Sequence, residues 1–142
     1  MSRPDTQPEP PVFFTDRDLG AKIVPSRLRA AGFVVVVMQE HYGTEKSQAA
    51  NDHEWIPEVS ALNMAILTND TAMRFDGLIR KAIVESRARC FALARQNLTG
   101  PQMADRIIAN RDAILSVAGL LPGALWERCE FGVVAGASDS HR

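Results

Sequence analysis

Cysteine and lysine are scarce in this 142-residue chain: two cysteines, Cys90 and Cys129, and three lysines, Lys22, Lys46 and Lys81. Two thiols in apolar, strand-like surroundings do not make a disulfide framework. The chain therefore reads as a reduced, cytoplasmic protein held by a hydrophobic core. Long apolar runs are missing as well. The longest, Phe33 to Met38, is strand-sized, far short of the roughly 20 residues that cross a bilayer, so no membrane partner is expected. The opening MSRPDTQPEPP has no apolar core of the kind a signal peptide carries. A Gly-rich phosphate loop, a Cys/His zinc spacing and a Ser-His-Asp or Cys-His arrangement are all absent, which argues against the chemistries that need them.

Excess positive charge is also lacking. The formal net charge is −1, whereas nucleic-acid binders usually carry a basic balance. A site built from carboxylates and metal ions would supply its own positive charge, so this class stays open. With so few lysines the basic residues are nearly all arginine, the better bidentate partner for phosphate.

What is present is one domain's worth of chain, with 46% hydrophobic residues to fill a core. Residues 1–11 are proline-rich and polar and read as a disordered arm. Residues 12–135 read as one domain and 136–142 as a frayed tail. Inside the domain, strands and helices alternate. Val12 to Thr15 is a short apolar strand, and Pro25 to Ala31 a helix closed by Gly32. Phe33 to Met38 is a β-branched run without polar alternation, the pattern of a strand buried on both faces. Gln39 to Asn51 is polar and long for a connection.

The segment from Asp52 to Leu62 is helical, Met64 to Thr68 a strand, Asp70 to Arg89 a charged helical region, and Cys90 to Ala94 a fourth strand. Thr99 and Gln102 form a capping box that opens one long helix ending near Gly119 and Pro122. Its apolar residues Ile108 and Leu115 suit either core or interface. Glu130 to Ala135 closes the pattern as an edge strand. The order predicts an α/β fold, a doubly wound parallel sheet flanked by helices.

Ligands of such sheets bind beyond the carboxyl ends of the strands. There the chain places Asp16, Arg17 and Asp18 after the first strand, and Asn69 and Asp70 after MAILT. Asp52 and Glu54 open the second helix. If the two strands ending in aspartate are neighbours, their axes lie roughly 5 Å apart. Carboxylates that close repel unless something neutralises them. Hard oxygen ligands with open positions suit Mg²⁺ or Mn²⁺. Aspartate also favours turns and helix starts, so each residue alone has a structural reading: Asp52 as a helix N-cap, Glu54 as the capping-box partner of Asn51. Two strands both ending in acid are not explained by capping. Trp55 reads as a core anchor, and His41 and His53 as surface residues.

The set FFTDRDLG, LRAAGF, DHEWIPEV and ILTND resembles the PIN-like domain, above all the short group counted among VapC-type toxins of toxin–antitoxin pairs. The resemblance runs from about Val12 to Asp70. It implies a three-layer PIN-like sandwich and a metal-dependent nuclease cutting single-stranded RNA. The implied site has Asp16 and Asp70 as principal metal ligands, with Asp52 or Glu54 as the helix acid. Arg17 and Arg74 are the candidates to hold a flanking phosphate. It further implies a cognate antitoxin and a homodimer. Two positions depart from the group: Asp18 stands where Asn is usual and Asn69 where Lys is usual, which makes the site more acidic. A PIN-like module that binds without cutting is an alternative. A receiver-type phosphorylation domain is a weaker one, since no lysine follows Lys81 to hold a phosphoryl group.

Overall fold

A computed structural model describes residues 10–70, 76–93, 97–118 and 133–135 of the chain. The arm before Pro10, the tail 136–142, Arg74 and Cys129 lie outside the described residues. The elements run β1 (Val12–Thr15), a 3₁₀ turn (Arg17–Leu19), α1 (Ile23–Ala30), β2 (Val34–Val37), α2 (Met38–Tyr42), α3 (Thr44–Ala49), α4 (Asp52–Ala61), β3 (Met64–Thr68), α5 (Gly77–Ser86), β4 (Cys90–Ala92), α6 (Gly100–Ala109), α7 (Arg111–Ala118) and β5 (Val133–Ala135).

The strands form one sheet in the order β2-β1-β3-β4-β5. The first four are parallel, and β5 adds to β4 antiparallel at the edge. From β1 the chain crosses to β2 on one side and then returns to place β3 on the other. The order therefore reverses between β1 and β3, which makes their carboxyl ends the topological switch point of the sheet.

Side chains alternate across a strand, and the core divides accordingly. Phe13, Val35, Ala65, Leu67 and Phe91 pack on one face with Val24 and Leu28 of α1, Met103 and Ile107 of α6, and Ile114 of α7. Phe14, Met64, Ile66 and Cys90 pack on the other with Met38 of α2, Trp55, Ile56 and Val59 of α4, and Ile83 of α5. Phe13 and Phe14 are both fully buried, and each such ring stabilises the fold by roughly 1.5–3 kcal/mol. Ile108 and Leu115 are partly buried against the first face, so both serve the core.

Several sequence expectations shift. The polar stretch 39–51 is not an open connection: it holds α2 and α3, split at Gly43, whose φ of +89° favours glycine. The helix opened by Thr99 is two helices, broken at Asn110. The run Phe33 to Met38 yields a four-residue strand at the sheet edge with Val34 41% exposed, not a strand buried on both faces. Its last residue, Met38, begins α2. The fourth strand is shorter than expected, Cys90–Ala92; of the expected fifth strand, Val133–Ala135 lies within the described residues.

The Thr99–Gln102 capping box is present: Thr99 Oγ1 accepts from the Gln102 N–H at 3.3 Å, and Gln102 Oε1 accepts from the Thr99 N–H at 2.9 Å. Thr99→Ala should lower stability by about 1 kcal/mol. Urea unfolding should show this as a lower midpoint at unchanged slope. An unmoved midpoint would remove the cap from the stability of α6.

Candidate active site

The strand pairing sets Thr15 beside Leu67. The next residue, Asp16, continues the ladder by donating its N–H to Leu67 O at 3.3 Å. Its side chain is therefore drawn into the switch point and is only 2% exposed. Asp16 Oδ1 accepts from the Asp18 N–H at 3.1 Å, capping the 3₁₀ turn. Asp16 Oδ2 accepts from Thr68 Oγ1 at 2.5 Å. The same hydroxyl oxygen accepts from the Asp70 N–H at 3.0 Å. Thr68, itself buried, thus ties the two strand-end aspartates together.

Burial dominates the electrostatics of Asp16. It pushes the pKa up to about 8; the Thr68 hydroxyl pulls the other way, and the charges of Asp18 and Asp52 add to the rise. Asp18 is raised first by burial and then by Asp70, with Arg17 opposing and Asp52 adding. Burial also raises the Cys90 thiol beneath the site, with Asp16, Asp52 and Asp70 contributing. Asp16, Asp18, Asp52 and Asp70 therefore form one mutually repelling cluster at the carboxyl ends of β1 and β3.

Of the two helix acids, only Asp52 joins it. Asn51, not Asp52, is the N-cap of α4, and no side-chain cap bond is made there. Asp52 Oδ1 instead accepts from Trp55 Nε1 at 2.9 Å and lies 3.4 Å from Arg17 Nη2. Trp55 is a core anchor, 1% exposed, with its indole N–H committed to the site. Glu54 lies along a different cleft with Tyr42, Lys46 and Glu58. Its Oε1 takes only a long 3.4 Å contact from Asn51 Nδ2, a side-chain pair and not the expected capping box. Arg17 is anchored a second time, donating from Nη1 to Ser47 O at 2.6 Å.

Thr68 and Trp55 hydrogen-bond to the candidate acids Asp16 and Asp52, and the sequence reading did not single them out for that. A signal existed for each: a hydroxyl closing an otherwise apolar strand, and a tryptophan three residues after an acid, hence on the same helix face. The donor set is all hard oxygen with one arginine among four carboxylates, which suits Mg²⁺ or Mn²⁺ in kind. Among the described residues, no three acid, histidine or cysteine side chains already converge on a single point as they do around a bound ion.

Against known proteins, the family model described as PIN like domain matches residues 11–95. A protein of Mycobacterium tuberculosis (strain ATCC 25618 / H37Rv) named "Putative ribonuclease VapC45" is 36% identical over 105 residues, which cover 74% of this chain and 76% of that protein. No solved structure matches significantly.

The raised Asp16 carboxyl has a consequence for stability. An unfolded aspartate ionises near 3.8, the folded one near 8. Between those values the folded state holds the extra proton, so stability falls as pH rises through the window. Metal-free protein should melt higher at pH 5 than at pH 8, and Asp16→Asn should shrink the difference. An identical pH profile for the variant would mean that Asp16 ionises normally.

Proposed function

The chain belongs to the PIN-like domain family, and from that premise we propose that it is a metal-dependent endoribonuclease, the toxin of a toxin–antitoxin pair, that hydrolyses phosphodiester bonds of single-stranded RNA. The observation that carries this reading is Asp16: a carboxylate buried at the switch point, bonded through Thr68 to the backbone of Asp70 and facing further acids instead of a cation. Ionising a buried carboxyl without a counter-charge is costly, so Asp16 keeps its proton up to about pH 8, and groups perturbed in this way concentrate at sites that bind or react.

In this reading Asp16 and Asp70 hold Mg²⁺ or Mn²⁺, with Asp52 as the helix acid in preference to Glu54. Such a cation would supply an activated water and charge neutralisation at the phosphate. The chain's own groups do the rest. Thr68 fixes the rotation of the Asp16 carboxylate, and Trp55 fixes that of Asp52. To hold a cation, Asp16 would have to be deprotonated, so the affinity should rise with pH up to about 8. Arg17, held by Ser47 O and Asp52, presents its guanidinium to a flanking phosphate, and Arg74 is a second candidate for that task. The partners are RNA, a second copy of the chain, and a cytoplasmic antitoxin that sets an arginine among the acids.

Purified protein should cut single-stranded RNA with Mg²⁺ or Mn²⁺ and lose the activity in chelator. Asp16→Ala and Asp70→Ala should each lower the rate by about two orders of magnitude or more while the fold persists. Asp52→Ala should lose activity and Glu54→Ala should keep it. Full cleavage by both Asp16→Ala and Asp70→Ala would sink the nuclease reading. Expression of the wild type alone should arrest growth, and co-expression of the antitoxin should relieve it.

A further inference from the structure

β2 is the outer strand of the sheet and pairs with β1 on one side only. The pairing of β1 decides which backbone groups of β2 face outward. Asp16 turns its N–H to β3, donating to Leu67 O at 3.3 Å. In a strand between two parallel neighbours, successive residues bond to opposite sides. Val12 and Phe14 therefore serve β3 as Asp16 does, and Phe13 serves β2. Val35 stands opposite Phe13. The bonds to Phe13 come from Val34 and Val36, so Val35 points its own N–H and carbonyl away from the sheet.

An outward row of backbone groups is a template for another strand, all the more in a run of four valines. Both ends of this edge are engaged within the chain. Phe33, just before the strand, donates its N–H to Leu28 O at 3.0 Å, and Val37 is the N-cap of α2. Val35 lies at the centre, and its carbonyl is covered. Arg29 of α1 donates from Nη2 to Val35 O at 2.8 Å, and the same nitrogen lies 3.2 Å from Glu40 Oε1 of α2. An arginine near a helix end can stay in water; this one is laid across the strand edge. Val35 is only 7% exposed, whereas Val34 beside it is 41% exposed.

The geometry of the edge selects what would pair with it. Residues directly opposite each other in an antiparallel pair can exchange both N–H···O bonds. A second copy of the chain, turned about a twofold axis at Val35, sets Val35 opposite Val35, and each N–H meets the other carbonyl. Two sheets would then run on as one. Arg29 occupies the carbonyl that this exchange requires, and a twofold at Val35 would also bring two guanidinium groups together.

We propose that Arg29 is a guard on the β2 edge: it denies the Val35 carbonyl to a second copy of the chain, and without it two copies join sheet to sheet through β2. Glu40 holds the guard in place.

Light scattering across a concentration series, together with NMR exchange of the Val35 amide, tests this on the full chain. Arg29 is exposed, so truncating it opens no cavity in the core. Arg29→Ala should reach twice the mass of the wild type, whatever surface the wild type itself uses to associate. Its Val35 N–H should exchange about tenfold more slowly than in the wild type. Arg27→Ala removes the same charge from the same helix, with an exposed contact to Asp105 at 3.8 Å, and should keep the wild-type mass. Adding Val34→Lys to Arg29→Ala places like charges at the joint and should restore the wild-type mass. An unchanged mass in Arg29→Ala overturns the proposal. So does association that leaves the Val35 amide exchanging as before, that Arg27→Ala reproduces, or that survives Val34→Lys, since each marks contact elsewhere than the β2 edge.

Discussion

The hydrogen bond from Thr68 to Asp16 joins the two halves of the sheet at the point where the strand order reverses. β1 and β3 are parallel neighbours, so their carboxyl ends open on the same side. Any polar group set there is enclosed by both core faces and by the turns that follow. Asp16 is set there, and its burial is tolerable only because Thr68 and the Asp18 N–H each satisfy one carboxylate oxygen. Those bonds do not neutralise it. The neighbours with the strongest influence after Thr68 are negative, and Arg17 is already engaged with Ser47 and Asp52. A site arranged for stability alone would turn a cation toward Asp16. This one leaves Asp16 to keep its proton up to about pH 8 instead.

Much of this was legible in the residues. β1 and β3 match the sequence reading to the residue, because both are apolar runs cut off sharply by polar residues. That sharpness is also why Asp16 and Asp70 could be singled out. Less legible were elements whose signal is weak or shared. α2 and α3 are five and six residues long, too short for a helical period to show in a polar stretch. The break at Asn110 is hidden because apolar spacing runs on across it, Ile107 and Ile114 both reaching the same core. The valine run of β2 speaks of a strand but not of its place, and its outer position leaves Val34 in solvent.

The choice between Asp52 and Glu54 shows where local pattern ends and tertiary structure begins. Both are in the first turn of α4, and spacing from the strands does not separate them. Trp55 does. A tryptophan there must face the core, and the residue three positions earlier shares its side of the helix, whereas the residue just before it does not. The indole N–H then needs an acceptor, and Asp52 is within reach. By contrast, nothing local announces that Thr68 and Asp16, 52 residues apart, will meet. That contact depends on the register of β1 against β3, which a single sequence leaves unspecified.

Asp16, Arg17 and Asp18 show how one short turn divides tasks among consecutive residues. The 3₁₀ turn that begins after Asp16 rotates each side chain away from the one before. Asp16 goes inward to Thr68, Arg17 sideways to α3 and α4, and Asp18 outward within electrostatic reach of Asp70. Because Arg17 bonds to the backbone of Ser47, α3 is fixed to the same turn that carries Asp16. The buried carboxyl of Asp16 and the position of α3 are therefore not independent parts joined by the scaffold. They are set by three adjacent residues, and a shift of the turn moves both together.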